Sequence, residues 1–420
     1  MVKKGYKQTE VGLIPEKWAV STIGAIADVK TGPFGSALHA EDYVQDGTPI
    51  ITVEHLGETG LTHQNLPKVS EKDRHRLFAY SMQEGDIVFS RVGSVDRNAY
   101  VTAIENGWLF SGRILRLRAK NEKLSTQYLG YYFKSEDTKE RIRNVAVGQT
   151  MPSLNTKLMN AFKVVLPTIE EQKDIAALLS NMDTLISALE KQISKKKAIK
   201  QGAMQELLTG KRRLPGFSGE WRYFNLLKNS KVKARIGWQG LKKSEYLDSG
   251  YALLVTGTDF DDGRVLWDGC HYVTRSRYEQ DRNIQLQNND ILITKDGSLG
   301  KTALVQGLTK PATLNSGIFV IRPLQDAYDP VFVYQILSSF VFKNFLDRLS
   351  AGSTIIHLYQ KDVGKFEFLL PPTIAEQKAI AEALSEMDSD IAALENKLTK
   401  YRQVKQGMMQ QLLTGKIRLM

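Results

Sequence analysis

The chain says nearly the same thing twice. KQGAMQELLTGKRRL runs from Lys200 to Leu214, and KQGMMQQLLTGKIRL runs from Lys405 to Leu419. Aligning Pro167 with Pro372, an offset of 205, carries the register without a gap to Leu214 and Leu419, and 29 of the 48 aligned pairs are identical. A repeat this long governs everything else, because each copy must find its own way to bury its apolar face. Fainter likeness extends upstream. QEGDIVFSRVGSVDRNAYV (Gln83 to Val101) answers QNNDILITKDGSLGKTALV (Gln287 to Val305), and LIPEKW ending at Trp18 answers PGFSGEW ending at Trp221. The 420 residues are therefore two copies of one unit of about 205 residues, within the two to four domains expected at ~100–200 residues each. Each copy is a diverged globular part followed by a preserved segment of ~45 residues.

The preserved segment reads as helix. Thr168 and Thr373 are N-cap candidates, and Glu171 and Glu376 three residues on complete a capping-box pattern. Apolar residues then recur at heptad spacing. The first copy has the rows Leu179, Ile186, Ile193 and Ile175, Met182, Leu189; the second has Leu384, Ile391, Leu398 and Ile380, Met387, Leu394. Such 4–3 spacing makes a narrow seam for another helix. Lys200 and Lys405 fall on the seam, which turns polar or changes partner there. Gly210 and Gly415 in TGK stop each helix. About 40 helical residues would span ~60 Å. Asp183 or Asp388 could instead cap a second helix and break each segment in two. Two seams in one chain predict an antiparallel coiled coil with pseudo-twofold symmetry; the alternative is that each helix packs on its own globular part or on a partner chain.

The globular parts carry short β-rich runs, GDIVFS, GRILRLRA, DILITK and GIFVIRP, broken by Gly-rich turns. Helix follows near TQYLGYYFKSEDTKERI and PVFVYQILSSFVFKNFLDRL. The fold class is α+β, with β-rich cores. The expected boundaries are 1–165 for the first globular domain, 166–212 for a central helical region, 213–370 for the second domain and 371–420 for a C-terminal helical region.

Composition closes several routes. No uncharged apolar run approaches the ~20 residues of a membrane span, and the N-terminus lacks the apolar core of a secretory signal. Cys270 is the one cysteine, so an intrachain disulfide is impossible and a cytoplasmic setting is expected. With six scattered histidines and no CxxC or HExxH, no metal site is expected, and Cys270 reads as a packed thiol. A net charge of +11 suits a polyanionic partner, nucleic acid first.

Catalytic motifs are missing. Gly300-Lys301-Thr302 resembles the end of a phosphate loop, but that loop needs a glycine five residues earlier, where Lys295 stands. The first copy has Asp96 and Arg97 in place of Gly300 and Lys301. A turn between two strands is the better reading.

The pair LPTIEEQKDIAALLSNMD…KQGAMQELLTG and LPPTIAEQKAIAEALSEMD…KQGMMQQLLTG resembles the repeated regions of type I restriction-modification specificity subunits. With the diverged parts before each copy, the resemblance covers essentially the whole chain. It implies two target recognition domains, each reading one half of a bipartite, asymmetric double-stranded DNA site. The helices would set the spacer and dock two modification (methyltransferase) subunits, and two restriction (motor-nuclease) subunits would complete the complex. The chain would be non-catalytic and bind no cofactor; S-adenosylmethionine, ATP and Mg would sit on the partners.

Base reading takes Arg, Lys, Asn, Gln, Ser or Thr on exposed loops. In the first domain that favours Arg91, Ser94, Arg97 and Asn98, the Gln149-Thr150 loop, and Lys30 and Ser36. In the second it favours Lys295, Ser298 and Lys301, Ser353 and Thr354, and the run Arg235, Trp238, Gln239, Lys242, Lys243. Leu179, Met182, Ile186, Leu189, Ile193, Leu384, Met387, Ile391, Leu394 and Leu398 are the helix-packing set. Gln201, Gln205, Gln406 and Gln410 recur beyond the apolar seam and are candidates for partner docking.

Overall fold

The computed structural model describes residues 4–33, 38, 40–58, 60–148, 151–350 and 357–419, with the backbone alone for Ala40, Trp238 and Ser350. Among the described residues, six helices have eight residues or more: α1 (Thr126–Lys134), α2 (Glu136–Val145), α3 (Ile169–Leu207), α4 (Pro330–Leu337), α5 (Phe340–Ser350) and α6 (Ile374–Leu412). The chain forms two compact units. One is Met1–Glu190 with Asn396–Met420; the other is Lys191–Glu395. Each unit therefore contains a globular domain, the start of one long helix and the end of the other.

In the first unit, β1 (Ala27–Thr31), β2 (Ile87–Ser90), β3 (Asn98–Tyr100) and β4 (Ile114–Ala119) make a four-stranded antiparallel sheet in the order β1-β4-β2-β3. All four side chains of β2 are buried. Phe89 meets Phe133 of α1 edge-on at 4.7 Å between ring centroids. The alternating arginines of β4 anchor the sheet: Arg118 grips the buried Asp86 with two bonds of 2.8 and 2.7 Å, and Arg116 pairs with Asp28. The second unit repeats the plan with β5 (Ser230–Lys233), β6 (Ile291–Thr294), β7 (Thr302–Leu304) and β8 (Ile318–Pro323), paired β5-β8-β6-β7 within a six-stranded sheet. There Arg322 grips Asp290 at 2.5 and 2.6 Å.

The long helices are continuous over 39 residues each. Neither breaks at Asp183 or Asp388. Both aspartates face a lysine of the other long helix and have no need to cap: Lys405 reaches Asp183, and Lys200 reaches Asp388, each at 2.5 Å. These pairs, with Arg402–Glu190 in the first unit and Lys196–Asp390 in the second, run the two helices antiparallel within each unit. The apolar rows are buried or half-buried along their length. Both packing alternatives hold at once. Ile175, Ala176 and Leu179 of α3 and Leu412 of α6 join the core of the first domain. Ile380, Ala381 and Leu384 of α6 and Ala203 and Leu207 of α3 join that of the second.

The N-caps are half of the expected box. Thr168 Oγ accepts the Glu171 amide at 3.3 Å, and Thr373 Oγ accepts the Glu376 amide at 3.2 Å. The glutamates themselves are drawn elsewhere. Buried Glu171 accepts from Trp18 Nε1 at 2.9 Å and from Arg418 at 3.0 and 2.9 Å. Glu376 accepts two bonds of 2.7 Å from Arg213, and Trp221 Nε1 lies at 3.4 Å. The repeated LLTGK-x-RL thus closes a helix and then returns an arginine to the domain. Gly415 makes that turn at φ +69°, with Pro15 Cδ only 2.5 Å from where a Cβ would stand. Gly210 does the same at φ +69° under the Trp221 ring.

Cys270 is buried beneath Leu266, whose carbonyl accepts its thiol at 3.4 Å. Burial, helped by nearby Asp259, pushes the thiol up to about 12. The thiolate fraction at pH 8 is then on the order of a thousandfold below that of a free cysteine. An aromatic disulfide reagent should label the native chain at least about a hundredfold more slowly than the denatured one; equal rates would show the packing to be wrong.

Candidate nucleic-acid interface

The turn after β2 and the turn before β4 sit side by side in the first unit. Between them and the loops around Thr52 and Asn65 lies a cleft of about 740 Å³, lined by polar groups that include Arg91, Arg113, Thr52, Glu54, Asn65 and Tyr43. Arg91 is half-buried and braced, donating to Leu154 O at 3.3 Å and to Gly112 O at 3.5 Å. Arg113 is exposed. Thr52 is held by the His55 ring, 2.9 Å from its hydroxyl, and Asn65 stands in the left-handed region at φ +54°. A braced guanidinium beside an exposed one, among hydroxyl and amide groups, is the donor and acceptor set that base edges and phosphates require.

The other candidates of this domain divide by burial. Ser94 is exposed on the turn at Gly93. Arg97 is exposed and donates to Leu56 O. Lys30 is half-buried, donating to Ala79 O at 2.8 Å with its ammonium 4.9 Å from the Tyr80 ring centroid. Asn98 is 5 % exposed, and its amide bonds Asp96 O and Phe133 O inside the domain. Ser36, Gln149 and Thr150 lie outside the described residues, as do Ser353 and Thr354 in the second domain.

In the second unit, Lys295 takes the place of Arg91. Its ammonium lies 3.1 Å from Asp296, whose other oxygen is 2.6 Å from His357 Nδ1. Burial would raise the Asp296 pKa, but the bonds to His357 and Lys295 prevail and hold it below the usual carboxylate range. Gly317 stands where the first domain has Arg113. Lys242, Lys243, Ser298 and Lys301 are exposed, Lys301 donating to Phe260 O. Arg235 is 3 % exposed, and its guanidinium bonds Leu314 O at 2.8 Å and Thr313 Oγ1 at 3.2 Å. Burial, then neighbouring Arg277, push its pKa down. Gln239 is buried as well, so neither side chain is on the surface of the domain. Of Trp238 only the backbone is described.

Gly297–Gly300 is a turn between β6 and β7, and its amides are used within it. Leu299 N donates to Gly297 O, Gly300 N to Thr294 O, and Lys301 N to Thr294 Oγ1, each at 2.9 Å. None of these amides is left to cradle a phosphate.

Thr52, Asn65 and Arg113 escaped sequence reasoning. Arg113 follows Gly112 in the run GRILRLRA, where it reads as part of a strand. Only the antiparallel pairing of β2 with β4 brings it beside Arg91.

The two units thus share one frame and carry different polar side chains at equivalent turns. Residues 15–200 and 240–405 each match the family model described as the type I restriction modification DNA specificity domain. The chain belongs to this family, that of the non-catalytic DNA specificity subunits of type I restriction-modification systems. It is 28% identical over 432 residues to a putative type I restriction enzyme MjaX specificity subunit of Methanocaldococcus jannaschii, covering 99% of this chain and 97% of that protein. It is 25% identical over 433 residues to the MjaVIII specificity subunit of the same organism, with the same coverage. The fold is similar to the crystal structure of an S subunit from M. genitalium, with TM-score 0.60, 16% identity, and 94% and 96% of the two chains covered. Among the described residues no helix is long and apolar enough to cross a membrane.

Proposed function

We propose that each globular domain reads one half of a bipartite, asymmetric DNA site, and that the antiparallel helices set the spacer between the halves. The observation that carries this reading is the contrast between preserved frame and altered turns. Asp86–Arg118 and Asp290–Arg322, the Trp–Glu–Arg clusters and the cross-helix Lys–Asp pairs are built alike in both units. At equivalent turns, however, Arg91, Val92 and Arg113 stand against Lys295, Asp296 and Gly317. Equal frames with unequal donors suit two different half-sequences. A 39-residue helix is ~58 Å long, against ~34 Å for one turn of DNA.

Residues 1–165 and 213–370 serve as the recognition domains, and 166–212 and 371–420 as the helical regions. Gln201, Gln205, Gln406 and Gln410 are exposed on the helices, in matching surroundings that suit two identical modification subunits. Two restriction subunits complete the cytoplasmic complex. S-adenosylmethionine, ATP and Mg act on those partners. The net charge of +11 adds sequence-independent attraction to the phosphate backbone.

The test is a domain exchange. Replacing residues 1–150 with those of a relative, and sequencing the DNA methylated by the complex with its methyltransferase, should change one half of the motif and leave the other. A change in both halves, or no split motif from the parent, would refute the reading.

A further inference from the structure

In the first unit, three elements meet at one carboxylate. Tyr131 of α1 donates its hydroxyl to Asp183 Oδ2 of α3 at 2.7 Å, and Lys405 of α6 donates to Oδ1 at 2.5 Å. The Lys405 ammonium also lies 5.6 Å from the Tyr131 ring centroid. Domain and both long helices are thus joined through Asp183. Burial, then the bond to Asp183, push the Tyr131 phenol well up, so it remains a donor across the working pH range.

Position gives this joint its leverage. The domain grips α3 through Ile175, Ala176 and Leu179, and α6 through Met408, Met409 and Leu412. Asp183 lies one turn beyond Leu179, ~6 Å further along the axis, and Lys405 lies beyond Met408 in the same direction along the pair. Farther out, Ile186 and Leu189 take no part in the domain core. Cavities of about 620 and 320 Å³ flank the joint, one lined by Lys405, Lys134 and Met409, the other by Tyr131, Asp183 and Lys134. Packing is therefore open on either side of it. A tie at the far edge of a contact, with open space beside it, resists tilting more than any contact near the pivot.

Among the described residues, the second unit lacks the third member. Lys200 reaches Asp388 at 2.5 Å as before. Gln335 stands at the place of Tyr131 in α4, and the neighbouring Tyr334 is engaged by Ser338. It also crowds Gly263, where a Cβ would stand 1.8 Å from the phenol oxygen.

We infer that the Tyr131–Asp183–Lys405 joint is a positioning device that fixes the angle of the first recognition domain on the helix pair, and so narrows the range of spacer lengths the protein accepts. This rests on the reading of the helices as the spacer ruler. Tyr131→Phe removes one hydrogen bond to a charged group, worth about tenfold in an equilibrium constant.

The test uses the complex of the full chain with its methyltransferase on a DNA library in which spacer length varies. With Tyr131→Phe, methylation of sites one base pair longer or shorter than the native spacer should rise about tenfold relative to native sites, with both half-sequences unchanged. Asp183→Asn should widen the profile in the same way, and Tyr334→Phe should leave it as in the parent. A parent-like profile for Tyr131→Phe, loss of all methylation by it, or equal widening by Tyr334→Phe would overturn the inference. A parent that methylates no split site would instead overturn the proposed function itself.

Discussion

Arg418→Ala should lower the stability of the first unit by about 3 kcal/mol, the lower end of the cost of breaking a buried ion pair. Glu171 is 4 % exposed and its carboxylate takes two of its three side-chain donors from this one guanidinium. Without Arg418, a charge stays buried with only the Trp18 N–H to answer it. The arginine itself is a third exposed, so water softens the loss. At ~2–4 °C per kcal/mol for a unit of this size, the melting temperature should fall by roughly 6–12 °C. Arg213→Ala should act likewise through Glu376, which is fully buried. Adding Glu171→Gln to Arg418→Ala should restore part of the loss, because the neutral amide can stay buried at less cost. Thermal unfolding followed by circular dichroism checks all three. A shift under about 2 °C for both arginine variants would mean that the clusters do not hold the helix ends to the domains.

Arg91→Ala and Arg113→Ala should weaken recognition of the first half-site in different ways. Arg91 is held in place by two backbone carbonyls and is suited to a fixed pairing with a base. Loss of a bidentate base contact costs about 1–3 kcal/mol, a fall of roughly 5- to 150-fold in discrimination at one position. Arg113 is exposed and unbraced, so its removal should weaken binding for all sequences and lower the salt slope by about one phosphate contact. Binding titrations of the methyltransferase complex on matched and singly altered sites, at two salt concentrations, separate these outcomes. Equal affinity on all sites for both variants would remove the cleft from the DNA interface.

What could be read from residue order is what short-range physics writes into it. The repeat predicts two units. The 4–3 spacing of Leu179 to Ile193 and Leu384 to Leu398 predicts long helices with one apolar side. The runs ILITK and IVFS mark strands. Each follows from the 3.6- and 2-residue periods of the backbone. The Asp183 and Asp388 caps fail for a different reason. Aspartate competes for backbone amides only while it lacks a better partner, and a lysine some 200 residues away is better. The capping-box glutamates are diverted in the same way, toward Trp18 and Arg418 in one unit and Arg213 in the other.

The candidate site was legible in part. Arg91 lies in the cleft, and Ser94, Lys242, Lys243, Ser298 and Lys301 are on the surface as loop chemistry suggests. Arg235 and Asn98 have the same residue character and are buried, because a polar side chain can serve the backbone as readily as a ligand.

The sequence by itself determined the duplication, the helices, the strands and the family, since all of these are carried by neighbours along the chain or by a motif repeated in it. Tertiary structure alone decided which arginine is braced, which is exposed and which is interior. It also decided that Tyr131 meets Asp183 and Lys405. Those outcomes depend on strand pairing and on side chains from distant segments competing for one carboxylate, and no local pattern records who wins.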